Sequence, residues 1–164
     1  MSTTGRIRLL LVTTVALLAA VAASGASASP PVAASGTFTY TSSTFNSIRE
    51  AGGNVIIDLS ATVSYTGTLT GTSTLHGILI FHADGSANAH DVETFTGTVN
   101  GVPGTVTFDL TVRNGPGFTN FRATETIISA SGGLAGLHGV LNWEDVTLGA
   151  EGPVGTYSGQ LVTD

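Results

Sequence analysis

The 164-residue chain contains no cysteine and no lysine, and charged residues make up only 10% of it. Without cysteine there can be no disulfide staples, even in an oxidising compartment, and no lipid-modified cysteine anchor. Stability must therefore come from packing and from backbone ladders. Without lysine the cationic residues reduce to five arginines against eleven acidic residues, for a net charge of −6. Such a chain repels phosphate backbones and anionic lipid heads, which excludes nucleic-acid and membrane-surface partners from the expectations. Helix-period apolar patterning, a domain boundary and a fixed-period repeat are also missing. No serine sits in a nucleophile-elbow context, and neither Gly101-Val102-Pro103-Gly104 nor Gly132-Gly133 opens a helix as a phosphate loop does.

The first 28 residues carry a signal of another kind. MSTTGRIR is followed by the apolar run LLLVTTVALLAAVAA and by small residues ending Ala26-Ser27-Ala28. That order describes a secretory signal peptide, and the run falls short of the roughly 20 residues a comfortable membrane span needs. The expectation is a secreted protein starting near Ser29, with residues 29–34 as a loose leader and 35–164 as one domain. Cleavage would remove Arg6 and Arg8, leaving three arginines against eleven acids and a net charge of −8.

The mature region is dominated by Thr, Val, Gly, Ile and Phe in short runs separated by Gly, Asn, Asp and Pro turns. This is the signature of an all-β, antiparallel sandwich or barrel, with about eight strands near 35–41, 54–66, 68–82, 86–99, 104–113, 118–129, 137–148 and 154–163. Alternation is clearest from Val55, Ile57, Leu59, Ala61, Val63 and Tyr65 on one face, and from Val106, Phe108, Leu110 and Val112 further on.

Three turns carry the inward face from strand to strand. Asn100-Gly101 favours a two-residue type I′ turn, which sets Phe95 opposite Val106 and Glu93 opposite Phe108. Asp84-Gly85, read the same way, sets Ile78 opposite Asp91 and His76 opposite Glu93. The loop 114–117 pairs Leu110 with Phe121 and Val106 with Glu125. On this reading His76, Glu93 and Glu125 form an inward cluster with Asp91 above it. A buried carboxylate needs a partner or a raised pKa, and a His–Glu pair can move a proton to or from a small substrate. A metal site is not expected. His76 and His82 lie six residues apart on one strand, roughly 20 Å at about 3.3 Å per residue, and His90 faces outward. No cofactor is implied.

The run Gly71…His76…Asp84-Gly85-Ser86-Ala87…Val92-Glu93-Thr94-Phe95-Thr96-Gly97-Thr98-Val99-Asn100-Gly101, with the later Ser131-Gly132-Gly133-Leu134-Ala135-Gly136-Leu137-His138-Gly139, resembles the bacterial domain-of-unknown-function family 3224. That family is similar to the allene oxide cyclase type of eight-stranded antiparallel barrel. The resemblance spans roughly residues 35–162 and implies a single barrel with a lumen suited to apolar small molecules, by analogy of fold. Three readings of function stay open. The first is a binding module for a small hydrophobic molecule, with Phe95, Phe108, Phe121, Ile78, Tyr65 and Asp91 facing the ligand. The second is a cofactor-free cyclase, isomerase or hydrolase, with Glu93 as acid or base, His76 as its partner and Glu125 as electrostatic stabiliser. The third is a cell-surface structural or interaction protein with a Thr-rich outer face and a filled barrel.

Overall fold

The computed structural model describes residues 29–164. The signal-peptide segment therefore lies outside the described residues. Eight strands follow in chain order: β1 (Val32–Ala51), β2 (Asn54–Gly67), β3 (Leu69–Phe81), β4 (Ala87–Val99), β5 (Val102–Gly115), β6 (Thr119–Gly132), β7 (Leu137–Leu148) and β8 (Pro153–Thr163). Each pairs antiparallel with its neighbour, and β1 closes on β8 to complete a barrel. Closure removes the sheet edges around the body of the barrel, which suits a chain with few charges to guard one.

β1 is much longer than the 35–41 expected from alternation. It starts at Val32, inside the expected leader, where Val32 pairs with Leu161 of β8. It also runs on past Tyr40 as a partner of β2 alone, to the Ala51–Asn54 pair. Register shifts at Tyr40/Ser42 and Phe45/Ser47 interrupt its alternation, so the period-two signal disappears from a segment that is still a strand. The seam between β6 and β7 is the shortest, pairing only Ala123–Thr126 with Trp143–Val140.

The hairpins decide which side chains enter the lumen. Asn100 and Gly101 have φ of 50° and 81°, and the β4–β5 register is the expected one, with Phe95 opposite Val106 and Glu93 opposite Phe108. The β3–β4 register differs from expectation by one residue. Asp84-Gly85 is not the whole turn. The His82 N–H bonds to the Ser86 carbonyl and the Gly85 N–H to the His82 carbonyl, with Gly85 at φ 84°. This is a three-residue loop ending in a left-handed residue, and the Asp84 side chain holds it by accepting from the Ser86 N–H and hydroxyl.

The extra loop residue turns β3 over. Leu75, not His76, stands opposite Glu93, and Gly77, not Ile78, stands opposite Asp91. Leu69, Ser73 and Leu75 are consequently inward along an unbroken ladder.

The β5–β6 register also differs, with Leu110 opposite Glu125 and Val112 opposite Ala123. The slip from the expected pairing is an even number of residues, so Phe121, Ala123, Glu125 and Ile127 keep their inward direction. A register shift at Thr107/Phe108 follows further along. On the outside, Thr62, Thr74, Thr94 and Thr107 stand side by side across β2, β3, β4 and β5. Such cross-strand Thr pairs stabilise a solvated β surface.

Inside, the barrel is packed from one end. Leu69, Val99, Leu134, Leu137, Tyr157 and Leu161 close the end that carries the β2–β3, β4–β5 and β6–β7 turns. There the Tyr157 hydroxyl accepts from the Leu69 N–H at 2.8 Å and donates to the Thr66 carbonyl at 3.1 Å. Phe38, Phe95, Phe108 and Leu110 fill the middle. The opposite end, framed by the other hairpins, stays open.

Candidate functional site

The site has two tiers. The upper tier is a cavity of about 390 Å³ at the open end, lined by residues of every strand and by the β7–β8 turn. Its wall is largely apolar: Leu59, Leu79, Ala89, Val112, Phe118 and Phe121, with Tyr40 and Trp143 beside them. Trp143 stacks on Phe38 at 4.1 Å between centroids, and Tyr40 meets Trp143 edge-on at 6.1 Å and 84°. Phe118 and Phe121 form a second pair at 5.0 Å. Phe118 holds φ 63°, an unusual conformation for an aromatic residue, and lines the cavity from the β5–β6 loop.

One carboxyl reaches this cavity deep in the barrel. Asp91 is 3% exposed, and its Oδ1 has no hydrogen-bond partner. Gly77 opposite makes room for it, because a β-carbon at 77 would collide with Asp91 Oδ1. Burial raises the Asp91 pKa from 3.8 to about 7, and the charge of Glu93 pushes the same way against weaker pulls from His90 and His76.

The lower tier lies beneath. Glu93 from β4 and Glu125 from β6 are both 0% exposed. The Tyr65 hydroxyl lies 2.8 Å from Glu93 Oε1 and 2.7 Å from Glu125 Oε1, and the Ser73 hydroxyl donates to Glu93 Oε1. A phenol has one proton, so it can donate to only one carboxyl and must accept from the other. Burial raises both acids, Glu125 further than Glu93. For Glu125 the charge of Glu93 adds to burial, whereas Ser73 and Tyr65 partly offset burial for Glu93. A consistent arrangement is a proton on Glu125 that is donated to the Tyr65 oxygen, with the Tyr65 and Ser73 hydroxyls both donating to Glu93.

Burial, followed by the charges of Glu125 and Glu93, also lifts the Tyr65 pKa well above its ordinary value. Among the described residues no arginine enters this region: Arg49, Arg113 and Arg122 are all exposed. Trp143 Nε1 lies near Glu125 and favours its charged form without closing a hydrogen bond.

The expected site residues are thus divided among four places. Glu93, Glu125 and Tyr65 come together in the lower tier, with Ser73 added. Asp91 and Phe121 line the cavity. Phe95 and Phe108 are sealed in the core and do not line it.

His76 and Ile78 are on the outer face, contrary to expectation. The His76 side chain is 65% exposed and bonds Asp58 at 3.0 Å, and Ile78 is 38% exposed. The His76–Glu93 pair therefore does not form, and the cause is the single extra residue in the β3–β4 turn. Among the described residues no group of three or more His, Asp or Glu is placed to hold a metal ion.

Tyr40 and Ser73 were not anticipated as site residues. Ser73 was hidden by the inverted reading of β3. Tyr40 immediately precedes the first β1 register shift, where alternation stops being informative.

The fold and this site define a closed eight-stranded antiparallel barrel with one plugged end, one open apolar end and an acidic network sealed between them. The chain belongs to the family described as protein of unknown function (DUF3224), whose sequence model matches residues 34–150. Among solved structures it is similar to a protein of unknown function from that family from Shewanella oneidensis MR-1. The TM-score is 0.63 at 19% identity, over 82% of this chain and 99% of the other. Among curated proteins nothing matches.

Proposed function

We propose that the protein holds a small, largely apolar molecule in the open end of its barrel. The observation that carries this reading is the cavity of about 390 Å³, within the range of about 300–1,000 Å³ typical of small-molecule sites. It is walled mainly by aliphatic and aromatic side chains, with the Asp91 carboxyl converging on it from within the barrel. Exposed Phe45, Phe81 and Leu148 extend the apolar wall to the rim and offer a route in. The resemblance to allene oxide cyclase barrels expected from the sequence supports this reading by analogy of fold alone. The expected signal peptide and the acidic, lysine-free composition support a role outside the cytoplasm with neither nucleic acid nor a membrane surface as partner.

The experiment uses the neutral fluorescent probe N-phenyl-1-naphthylamine and the variant Ala89→Trp, which fills the cavity from its wall. The wild type should bind the probe saturably and change the emission of Trp143, the chain's one tryptophan. The variant should lose binding while keeping the β-sheet circular dichroism and unfolding midpoint of the wild type. Equal binding by both proteins would refute the cavity as the site.

A second reading rests on one further observation. Asp91, at the cavity with a pKa of about 7, is suited to exchange a proton with a bound molecule near neutral pH. That makes Asp91 the candidate acid or base for a cofactor-free isomerase or hydrolase. Glu93 and Glu125 lie below the cavity and do not line it. A turnover assay comparing Asp91→Asn with wild type on any bound carbonyl compound tests this reading, and unchanged turnover removes it.

A further inference from the structure

We propose that the ligand of this cavity is a cation, specifically an apolar molecule ending in a protonated amine, with Asp91 as its counter-ion and the Tyr40 and Trp143 rings as its aromatic walls. The inference rests on the cavity reading above and names the class of molecule it takes.

Three features of the wall select a cation. The first is charge. The cavity is lined by Asp91 and, at the rim, Glu151, and by no Arg or His. Glu93 stands one inward position below Asp91 on β4, so an anionic ligand would enter against like charge with no donor cation to receive it. The second is the free acceptor. The Asp91 carboxyl lines the cavity and has no hydrogen-bond partner on Oδ1, which is enclosed against Gly77. A wholly apolar ligand would leave it so, whereas an ammonium brings three donors and a full charge. The desolvation that ordinarily makes a buried ion pair unfavourable is, on the protein's side, already present in the empty site.

The third feature is the aromatic setting. Tyr40 and Trp143 present rings at 84° to each other beside the same cavity, and Phe118 and Phe121 add a second pair. Cations bind to aromatic faces within about 6 Å of the ring centroid, most strongly when desolvated. Ring stacking on Phe38 holds the Trp143 indole in place, so this wall is formed before a ligand arrives. The alternative occupant, a neutral molecule with a carbonyl oxygen, would need the proton of Asp91 as its donor, and would gain nothing from the rings as cation receptors.

The test is calorimetric titration with three molecules of one shape and different ends: 2-phenylethylamine, 2-phenylethanol and phenylacetate, at pH 8. The wild type should bind the amine at least about tenfold more tightly than the alcohol, and phenylacetate least. Asp91→Asn should lower amine affinity about tenfold and change the alcohol by less than about twofold. Alcohol binding equal to or tighter than amine binding in the wild type overturns the inference, and does so without any variant. The neutral naphthylamine probe separates the two levels of the argument. If the probe occupies the cavity while the amine shows no preference, the inference fails alone. If neither probe nor amine binds, the cavity reading fails with it.

Discussion

Asp91→Asn is the substitution whose consequence can be worked furthest from the structure. The Asp91 carboxyl has a folded-state pKa of about 7 against an ordinary 3.8, with burial as the first cause and the charge of Glu93 as the second. At about 1.36 kcal/mol for each pKa unit, the folded state opposes ionisation of this group by roughly 4 kcal/mol. The sign follows from proton binding. Between pH 4 and 7 the native state holds a proton that the unfolded state releases, so native stability falls as pH rises. The contribution is fully favourable below the unfolded pKa, is lost as pH rises through about 7, and is constant above.

Asparagine has nearly the same shape and cannot ionise, so the variant lacks this slope. Other groups that titrate in this range, such as Glu93 and Glu125, are largely common to both proteins and cancel to first order in the difference. Chemical unfolding in urea at pH 4, 5, 6, 7 and 8 gives the stability of each protein. The stability of Asp91→Asn relative to wild type should rise by roughly 4 kcal/mol across that range, with most of the rise complete by pH 7. A difference that stays flat within about 1 kcal/mol would show that Asp91 is solvated in the folded protein, and would remove the basis for its role in the cavity.

Tyr65→Phe removes the hydroxyl that bridges Glu93 and Glu125. It should destabilise the protein by about 1–3 kcal/mol in the same unfolding assay at pH 6, since both carboxyls stay buried; no loss would show that water replaces the phenol. His76→Ala, on the outer face beside Asp58, should change stability by no more than about 0.5 kcal/mol and leave probe affinity unaltered. A large loss of either would return this histidine to the lumen. Gly77→Ala places a β-carbon against Asp91 Oδ1 and 2.5 Å from the His90 carbonyl oxygen. It should cost more than about 2 kcal/mol and weaken amine binding, and tolerance of the extra methyl would contradict the Gly77–Asp91 pairing.

The hairpins show why part of the site was legible and part was not. Two-residue Asn-Gly turns require positive φ at both central positions, and few other loop geometries suit that pair. The β4–β5 pairing, and with it the inward direction of Glu93, Phe95 and Phe108, was therefore readable from Asn100-Gly101. Asp-Gly serves two loop lengths. At Asp84-Gly85 the side chain of Asp84 closes on Ser86 and favours the longer one, which inverts β3 and exchanges His76 for Leu75. Glu125 kept its direction although its partner was wrong, because strand direction depends only on whether a slip is odd or even. The inward acid pair was thus visible in the residues, while its bridging by Tyr65 and the Ser73 bond to Glu93 were not.

By itself the sequence determined the class of this protein. Its β-rich composition, period-two alternation and regularly spaced turns admit one antiparallel domain, and its lack of lysine and cysteine sets the charge and the absence of disulfides. These properties are local or summed, so they need no knowledge of distant neighbours. What only the tertiary structure decided was the depth of each inward residue and which strands meet across the lumen. Phe95 and Phe108 fell into a sealed core, and Asp91 alone among the buried acids reached open space. Tyr40, Trp143 and Asp91 were gathered from β1, β7 and β4 around one cavity. Barrel closure and strand stagger fix those distances, and both depend on the sum of every register around the ring.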